Sequence, residues 1–341
     1  MTAVDHGFSP LCALGVPKAG GPGAACGRRT QTGYRPGVDE RTDALTAQVD
    51  ALCCEYSSVP PDQLLPRVAA TMRMLNVLRG RSGALTIRRD LLVAEGWAAL
   101  LAACLEQDQN NAARAAALAS MAETMGAEAG HQPISIWARE IKAWQAINTG
   151  RYAETATIAR DAADLAPDTN VAVQLHVQEA KARARMADGR AARVALNRAE
   201  RVLQGLPAPD RSEHHFIFDR SKFAFYAVQT FDIAGDDRGV AEYAQDCYFR
   251  CVDSKAGTTR WPMRIAEIQL ALAHSAARAG SLDVAAGYGL QALNHGRQSG
   301  PSLLPRALDL DAVLYRRWPG GWETRQFRVA LRQLQHRYAA S

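Results

Sequence analysis

The stretch Trp137–Pro167, WAREIKAWQAINTGRYAETATIARDAADLAP, constrains the fold more than any other part of this chain. Trp137, Ile141, Trp144 and Ile147 recur at helical spacing, Gly150 supplies a turn, and a second, alanine-rich helix runs on to Leu165 and stops at Pro167. The segment reads as one helical hairpin. Units of this kind recur downstream. A helix pair that cannot bury its apolar face alone must stack on its neighbours, which predicts an α-solenoid.

The remaining units follow from the same signals. Residues 1–38 hold eight glycines, four prolines and no periodicity, and read as a disordered tail ahead of a solenoid over 39–341. A first helix starts near Asp39 and ends at Pro60-Pro61. Asp62 is placed to cap a second, with Leu65, Val68, Met72, Leu75 and Leu78 on its apolar face. Helices are then expected from Ala84 through Leu105 and over Ala112–Met125. Beyond the Trp137 hairpin come Val171–Met186 with Ala191–Leu203, Phe216–Ile233 with Val240–Val252, and Met263–Ala279 with Leu282–Gly296. Helices over Pro305–Tyr315 and Trp322–Tyr338 read as a terminal cap. This gives about five helix pairs in a right-handed superhelix.

Turn glycines at 150, 189, 235 and 280 are 39, 46 and 45 residues apart, longer than the ~34 of a regular tetratricopeptide repeat. The Trp137 unit nevertheless carries much of that pattern: Gly150, Tyr152 and Glu154 at the turn, Ala143 at the helix crossing, then Ala162, Leu165 and Pro167. Arg139 and Lys142 stand where the pattern has Trp and Leu. The unit around Gly280 keeps Leu272, Ala273, Ala285, Ala292 and Leu293 but loses the aromatic positions. Small residues matter because helices approach closely only where a side chain is Ala or Gly. The expected architecture is all-α and tetratricopeptide-like.

Composition narrows the setting. Apolar residues make up 48% and charged residues 22%, ample for a core, and the net charge is +5. Of the 40 basic residues 35 are Arg, a skew that reflects a GC-rich genome as readily as a nucleic-acid surface. No secretory pattern opens the chain, and no apolar run nears the roughly 20 residues of a membrane span, so a cytoplasmic protein is expected. The seven cysteines, including Cys247 and Cys251 one turn apart, read as reduced, buried thiols.

Candidate chemistry concentrates in two first helices. Asp219, Lys222 and Tyr226 fall at i, i+3 and i+7 on one polar stripe, which reads either as an intrahelical Asp219–Lys222 pair or as the lining of the concave groove. Arg264 and Glu267 repeat the spacing one unit on. Arg139 and Lys142 extend the row upstream, as do His176 and Lys181. With His215 at the start of the helix, these residues make a groove of mixed charge that suits an acidic peptide, a protein or a small anionic molecule. Glu213, His214 and His215 lack a third ligand at helical spacing, and His176-x-x-Glu179 is half of a di-iron turn without its other half. No catalytic residue, metal site or cofactor is assigned, although an active site built from scattered residues stays open. The eight arginines from Arg297 onward face only Asp309, Asp311 and Glu323; they read as a phosphate-binding patch or as a solvated cap whose stems cover apolar surface.

Three segments carry a resemblance. They are Glu213-His214-His215-Phe216-Ile217-Phe218-Asp219 with Lys222 and Phe225-Tyr226-Ala227; Gly257-Thr258 with Pro262-Met263-Arg264-x-Ala266-Glu267; and Ser299-x-Pro301-Ser302-Leu303-Leu304. Together they resemble, over roughly 40–338, the tetratricopeptide-like C-terminal region of bacterial XRE-class helix-turn-helix transcriptional regulators. The resemblance implies a non-catalytic sensor or interaction module that regulates gene expression or a biosynthetic programme. The DNA-binding domain of that family has no counterpart in residues 1–38, so direct DNA binding is not carried over. An enzyme or accessory protein of a biosynthetic pathway using the same cavity is the alternative, followed by a nucleic-acid binder through the C-terminal arginines. No membrane partner is expected, and a homodimer stays open.

Overall fold

The computed structural model describes residues 36–253, 258–259 and 261–339. Fourteen helices run in pairs through them: α1 (Pro36–Glu55) with α2 (Pro61–Arg81), α3 (Leu85–Asp108) with α4 (Ala112–Glu128), α5 (Gln132–Asn148) with α6 (Tyr152–Ala163), and α7 (Asn170–Arg185) with α8 (Gly189–Gly205). Then come α9 (Arg220–Ile233) with α10 (Asp237–Cys251), α11 (Pro262–Ala279) with α12 (Leu282–Leu293), and α13 (Gly300–Arg317) with α14 (Trp322–Ala339). The fold is the expected all-α tetratricopeptide-like solenoid. The five central pairs are α3–α12, with one further pair at each end. The expected tail over 1–38 lies outside the described residues except for its last three positions, which open α1.

Local chemistry explains where the helices start and turn. Asp188, Asp219 and Asp236 cap α8, α9 and α10, each carboxylate accepting the backbone N–H three residues on. The α11–α12 turn is closed by Gly280 in the left-handed region, φ 91°, where a Cβ is costly. In the α7–α8 turn that position is taken by Ala187, φ 61°, and the expected turn residue Gly189 is the first residue of α8.

Four boundaries depart from expectation. Phe216–Ile233 is not one helix: Asp219 caps at Arg220, and Phe216 and Phe218 lie in the preceding loop, drawn into the core. Phe216 packs 5.1 Å from both Trp97 and Trp137, centroid to centroid. Asp62 sits in the first turn of α2, not at its cap, which is Pro60. The helix expected to end at Val252 stops at Cys251, and Val252–Asp253 pairs antiparallel with Thr258–Thr259. Helix α13 begins five residues before the expected Pro305, which lies inside it. A proline one turn into a helix leaves only the carbonyl four residues back without its donor.

Each helix packs mainly on its neighbours in sequence, and three overlapping apolar cores follow one another along the chain. The first helices α3, α5, α7, α9, α11 and α13 stand side by side, and α13 returns to touch α3. The concave face is thereby enclosed. A buried clasp holds the seam. Arg297, in the loop before α13, is 2% exposed; it pairs with Asp108 at 2.6 Å and donates to the Tyr56 carbonyl at 3.1 Å and the Gln298 carbonyl at 2.7 Å. The loop over 206–219 docks on α1 as well, through Arg211–Asp50 and a His215 N–H donated to the Cys53 carbonyl at 3.1 Å. The pair α13–α14 thus closes a ring; it does more than cover an end.

Candidate functional site

The enclosed face holds a cavity, part of it open to solvent. Its walls are the inward stripes of the first helices. Helix α5 contributes Trp137, Glu140 and Trp144; α7 contributes Gln174, Gln178 and Lys181; α9 contributes Lys222, Tyr226 and Gln229. The i, i+4, i+7 spacing of the last two sets puts each on one helix face. Met263, Arg264 and Glu267 of α11, His215 of the loop, and Gln298, Ser299, Ser302 and Leu303 line it as well.

Lys222 stands at the centre of this arrangement, 7% exposed. Its ammonium donates to the His215 carbonyl at 2.8 Å and the Ile217 carbonyl at 3.4 Å, and lies 5.7 Å from the Trp137 ring centroid and 5.3 Å from that of Phe218. Among the described residues no carboxylate comes within ion-pair distance of it. Burial, reinforced by the nearby Arg264 charge, lowers its pKa to about 8. Lys181 also lacks a carboxylate partner among the described residues, lies 5.3 Å from the Tyr226 centroid, and is lowered by burial to about 8.

The carboxylates are arranged differently. Glu140 Oε1 accepts from Gln174 at 2.9 Å and Gln178 at 2.8 Å; burial still raises its pKa, against those two donors. Glu267 is taken up by Arg306 and by Gln229 at 3.0 Å. Arg264 contacts Ser221 Oγ and lies 3.6 Å from Asp219. Because the glutamines turn their amide N–H groups to the carboxylates, the carbonyl oxygens of Gln174, Gln178 and Gln229 are buried without a partner among the described residues.

Of the residues singled out in the sequence, His215, Lys222, Tyr226, Arg264 and Glu267 meet at the cavity. The expectation that α9 and α11 place their stripes side by side holds. Asp219 sits behind Arg264 as the α9 cap; its carboxylate accepts from the Lys222 backbone N–H at 2.8 Å and from Ser221 Oγ at 3.0 Å, so the intrahelical ion pair does not form, and of the three stripe residues Lys222 and Tyr226 line the cavity while Asp219 does not. Arg139 and Lys142 do not extend the row: both turn to Glu123 of α4, Arg139 exposed and Lys142 half-buried. On α5 the inward positions are Trp137, Glu140 and Trp144, on the opposite side of the helix from that assignment. His176 and Glu179 point away from the cavity, with Glu179 paired to Arg183 and Arg198. His214 is not at a helix start; it lies in the docked loop, its Nε2 3.2 Å from Asp50 but outside hydrogen-bond alignment.

Sequence reasoning missed Glu140 and the three glutamines. Their signal was present: Gln174 and Gln178 interrupt an apolar run, four residues apart, in a first helix. Cys247 and Cys251 are buried neighbours, Sγ to Sγ 3.8 Å. Among the described residues no three His, Cys, Asp or Glu side chains are grouped to hold a metal, and no helix is long and apolar enough to cross a membrane. Several of the C-terminal arginines are engaged internally: Arg297 at the clasp, Arg306 with Asp232 and Glu267, Arg317 with the Ala277 carbonyl, and Arg328 with Asp311.

The fold and cavity define an all-α tetratricopeptide-like solenoid closed around an internal cavity. No family model matches the chain, and no curated protein does. Among solved structures, one described as "Functional Characterization of Pseudomonas Aeruginosa pilF" is similar at 14% identity, over 86% of this chain and 99% of that one, with a TM-score of 0.39. That likeness is too distant to bear on function.

Proposed function

We propose that this chain is a non-catalytic binding module that takes a ligand into its central cavity and serves as a sensor in the control of gene expression or of a biosynthetic programme. The observation that carries the reading is Lys222, a buried ammonium held by two carbonyls and an indole face with no carboxylate partner among the described residues. A site kept charged at the cost of its own solvation is what a binding pocket needs. Ring closure favours a small molecule or the end of a peptide over a folded protein partner. The regulatory role draws on the resemblance to the XRE-class regulators.

Native mass spectrometry of the protein isolated from its own host at modest salt tests the binding reading. A retained mass of roughly a few hundred daltons is the expected result, in keeping with the size of a pocket ligand. Bare protein, together with no thermal shift from a metabolite library, overturns it.

A second reading is favoured by Glu140 and Lys222 standing in one cavity with pKa values moved toward each other, as in acid–base sites. In that case the chain is an enzyme or accessory protein of a biosynthetic pathway. Conversion of the host-retained molecule by fresh protein, lost in Glu140→Gln, selects this reading; return of the molecule unchanged selects the first.

A further inference from the structure

The cavity's ionised side chains, Lys181, Lys222 and Arg264 against Glu140, Glu213 and Glu267, balance in number but not in pairing. Arg264 has Asp219 behind it, Glu267 has Arg306, and Glu213 has Arg211 at 3.7 Å. What is left among the described residues is Lys181 and Lys222 against Glu140, whose charge is already dispersed over two amide donors. An ammonium removed from water gains most from an anion that reaches it directly. A cation or a neutral guest leaves Lys222 as poorly compensated as before.

The shape of the wall specifies the rest of the guest. Trp137, Trp144, Phe225, Tyr226 and Trp261 line the same cavity as the two ammonium groups, with Lys222 5.7 Å from the Trp137 centroid and Lys181 5.3 Å from that of Tyr226; a planar aromatic body gains both area and stacking geometry on such side chains. The carbonyl oxygens of Gln174, Gln178 and Gln229 are buried acceptors without donors among the described residues. Each costs free energy while unpaired, and an N–H or O–H on the guest relieves one.

We propose that the ligand is a small aromatic carboxylate carrying an N–H or O–H donor, its acid group held by Lys222 beside the Trp137 ring. This rests on the reading of the cavity as a binding site. The carboxylate accepts from the ammonium, the ring lies among the tryptophans, and the donor meets a glutamine carbonyl of α7 or α9. Lys181, on the adjoining wall, supplies the second positive charge.

The test is isothermal titration calorimetry on the full chain at neutral pH with three probes that share one ring and differ in charge: indole-3-acetate, indole-3-acetamide and tryptamine. The expected order is the carboxylate tightest, the amide at least tenfold weaker, and the amine giving no measurable heat. Lys222→Met should weaken the carboxylate at least tenfold, Lys181→Met by a smaller factor, and Lys142→Met, outside the cavity, not at all; circular dichroism of each variant establishes that it is folded. Equal binding of the carboxylate and the amide, or carboxylate binding unchanged in both Lys222→Met and Lys181→Met, overturns the proposal and leaves the binding-site reading standing. Failure of indole-3-acetate and of benzoate, anthranilate and 4-hydroxybenzoate at millimolar concentration also overturns it. If the host protein then retains a neutral or cationic molecule, the cavity binds another class; if it retains nothing, both readings fall.

Discussion

Lys222 carries a thermodynamic cost that can be measured apart from any ligand. Its native pKa of about 8 lies below the 10.5 of an unfolded lysine. Between those values the unfolded chain binds more protons than the folded one, so stability rises with pH across that window, and below it the penalty is fully present. Urea unfolding at pH 7 and pH 10 should therefore show wild type gaining about 2 kcal/mol more than Lys222→Met, at 1.36 kcal/mol per pH unit. An equal gain in both proteins would mean that the ammonium is well solvated. A second single-residue effect sits at Ala187. Its φ of 61° burdens an L-residue by ~1–2 kcal/mol, part of which glycine returns as unfolded-state entropy. Ala187→Gly should raise stability by roughly 0.5–1 kcal/mol, visible as a higher urea midpoint at unchanged slope.

At the scale of elements, the helices were legible in the sequence because their signals are local: glycine and aspartate at the turns, apolar residues at 3.6-residue spacing. The inward face of each helix was harder to read. On α9 Lys222 among aromatics marks the face correctly, and on α11 Arg264 and Glu267 do so among aliphatics, whereas on α5 Arg139 and Lys142 look just as suitable and turn to Glu123 instead. Choosing between them needs the neighbour across the crossing, which one sequence does not supply. Nor does a charge count reveal Arg306, which joins three successive first helices. It is buried on α13, pairs with Asp232 of α9 at 2.6 Å and with Glu267 of α11, and shares Asp232 with His274 at 2.7 Å. Arg306→Ala leaves two buried carboxylates without it and should cost about 3–5 kcal/mol in chemical denaturation. Burial alone would raise the Asp232 pKa, but the His274 hydrogen bond and the Arg306 charge outweigh burial and hold it well below the ordinary carboxylate range. Stability from this group is complete above about pH 4 and is lost as the pH falls from there toward the native pKa. Wild type should thus lose more stability than Asp232→Asn on acidification from pH 5 to pH 3, by unfolding at fixed temperature.

For the whole molecule, the sequence predicts a row of stacked pairs with an open groove, and the structure is a row closed on itself. Closure depends on Arg297 and Asp108, 189 positions apart in the chain, and no periodicity links residues so far apart. A solenoid otherwise assembles from contacts between neighbours. The clasp adds one contact of very long range, whose loop-closure entropy has to be overcome after both ends have formed. In kinetic terms, a guest that enters by the seam exchanges only as often as the seam parts, and on that route the clasp sets residence time more than affinity. Arg297→Gln should speed arrival and departure of a bound probe together, with little change in their ratio, in stopped-flow fluorescence of the cavity tryptophans. Unchanged rates would place the doorway elsewhere. If the chain is a sensor, the signal then persists after the free ligand is gone, and the ring gives the molecule a short memory.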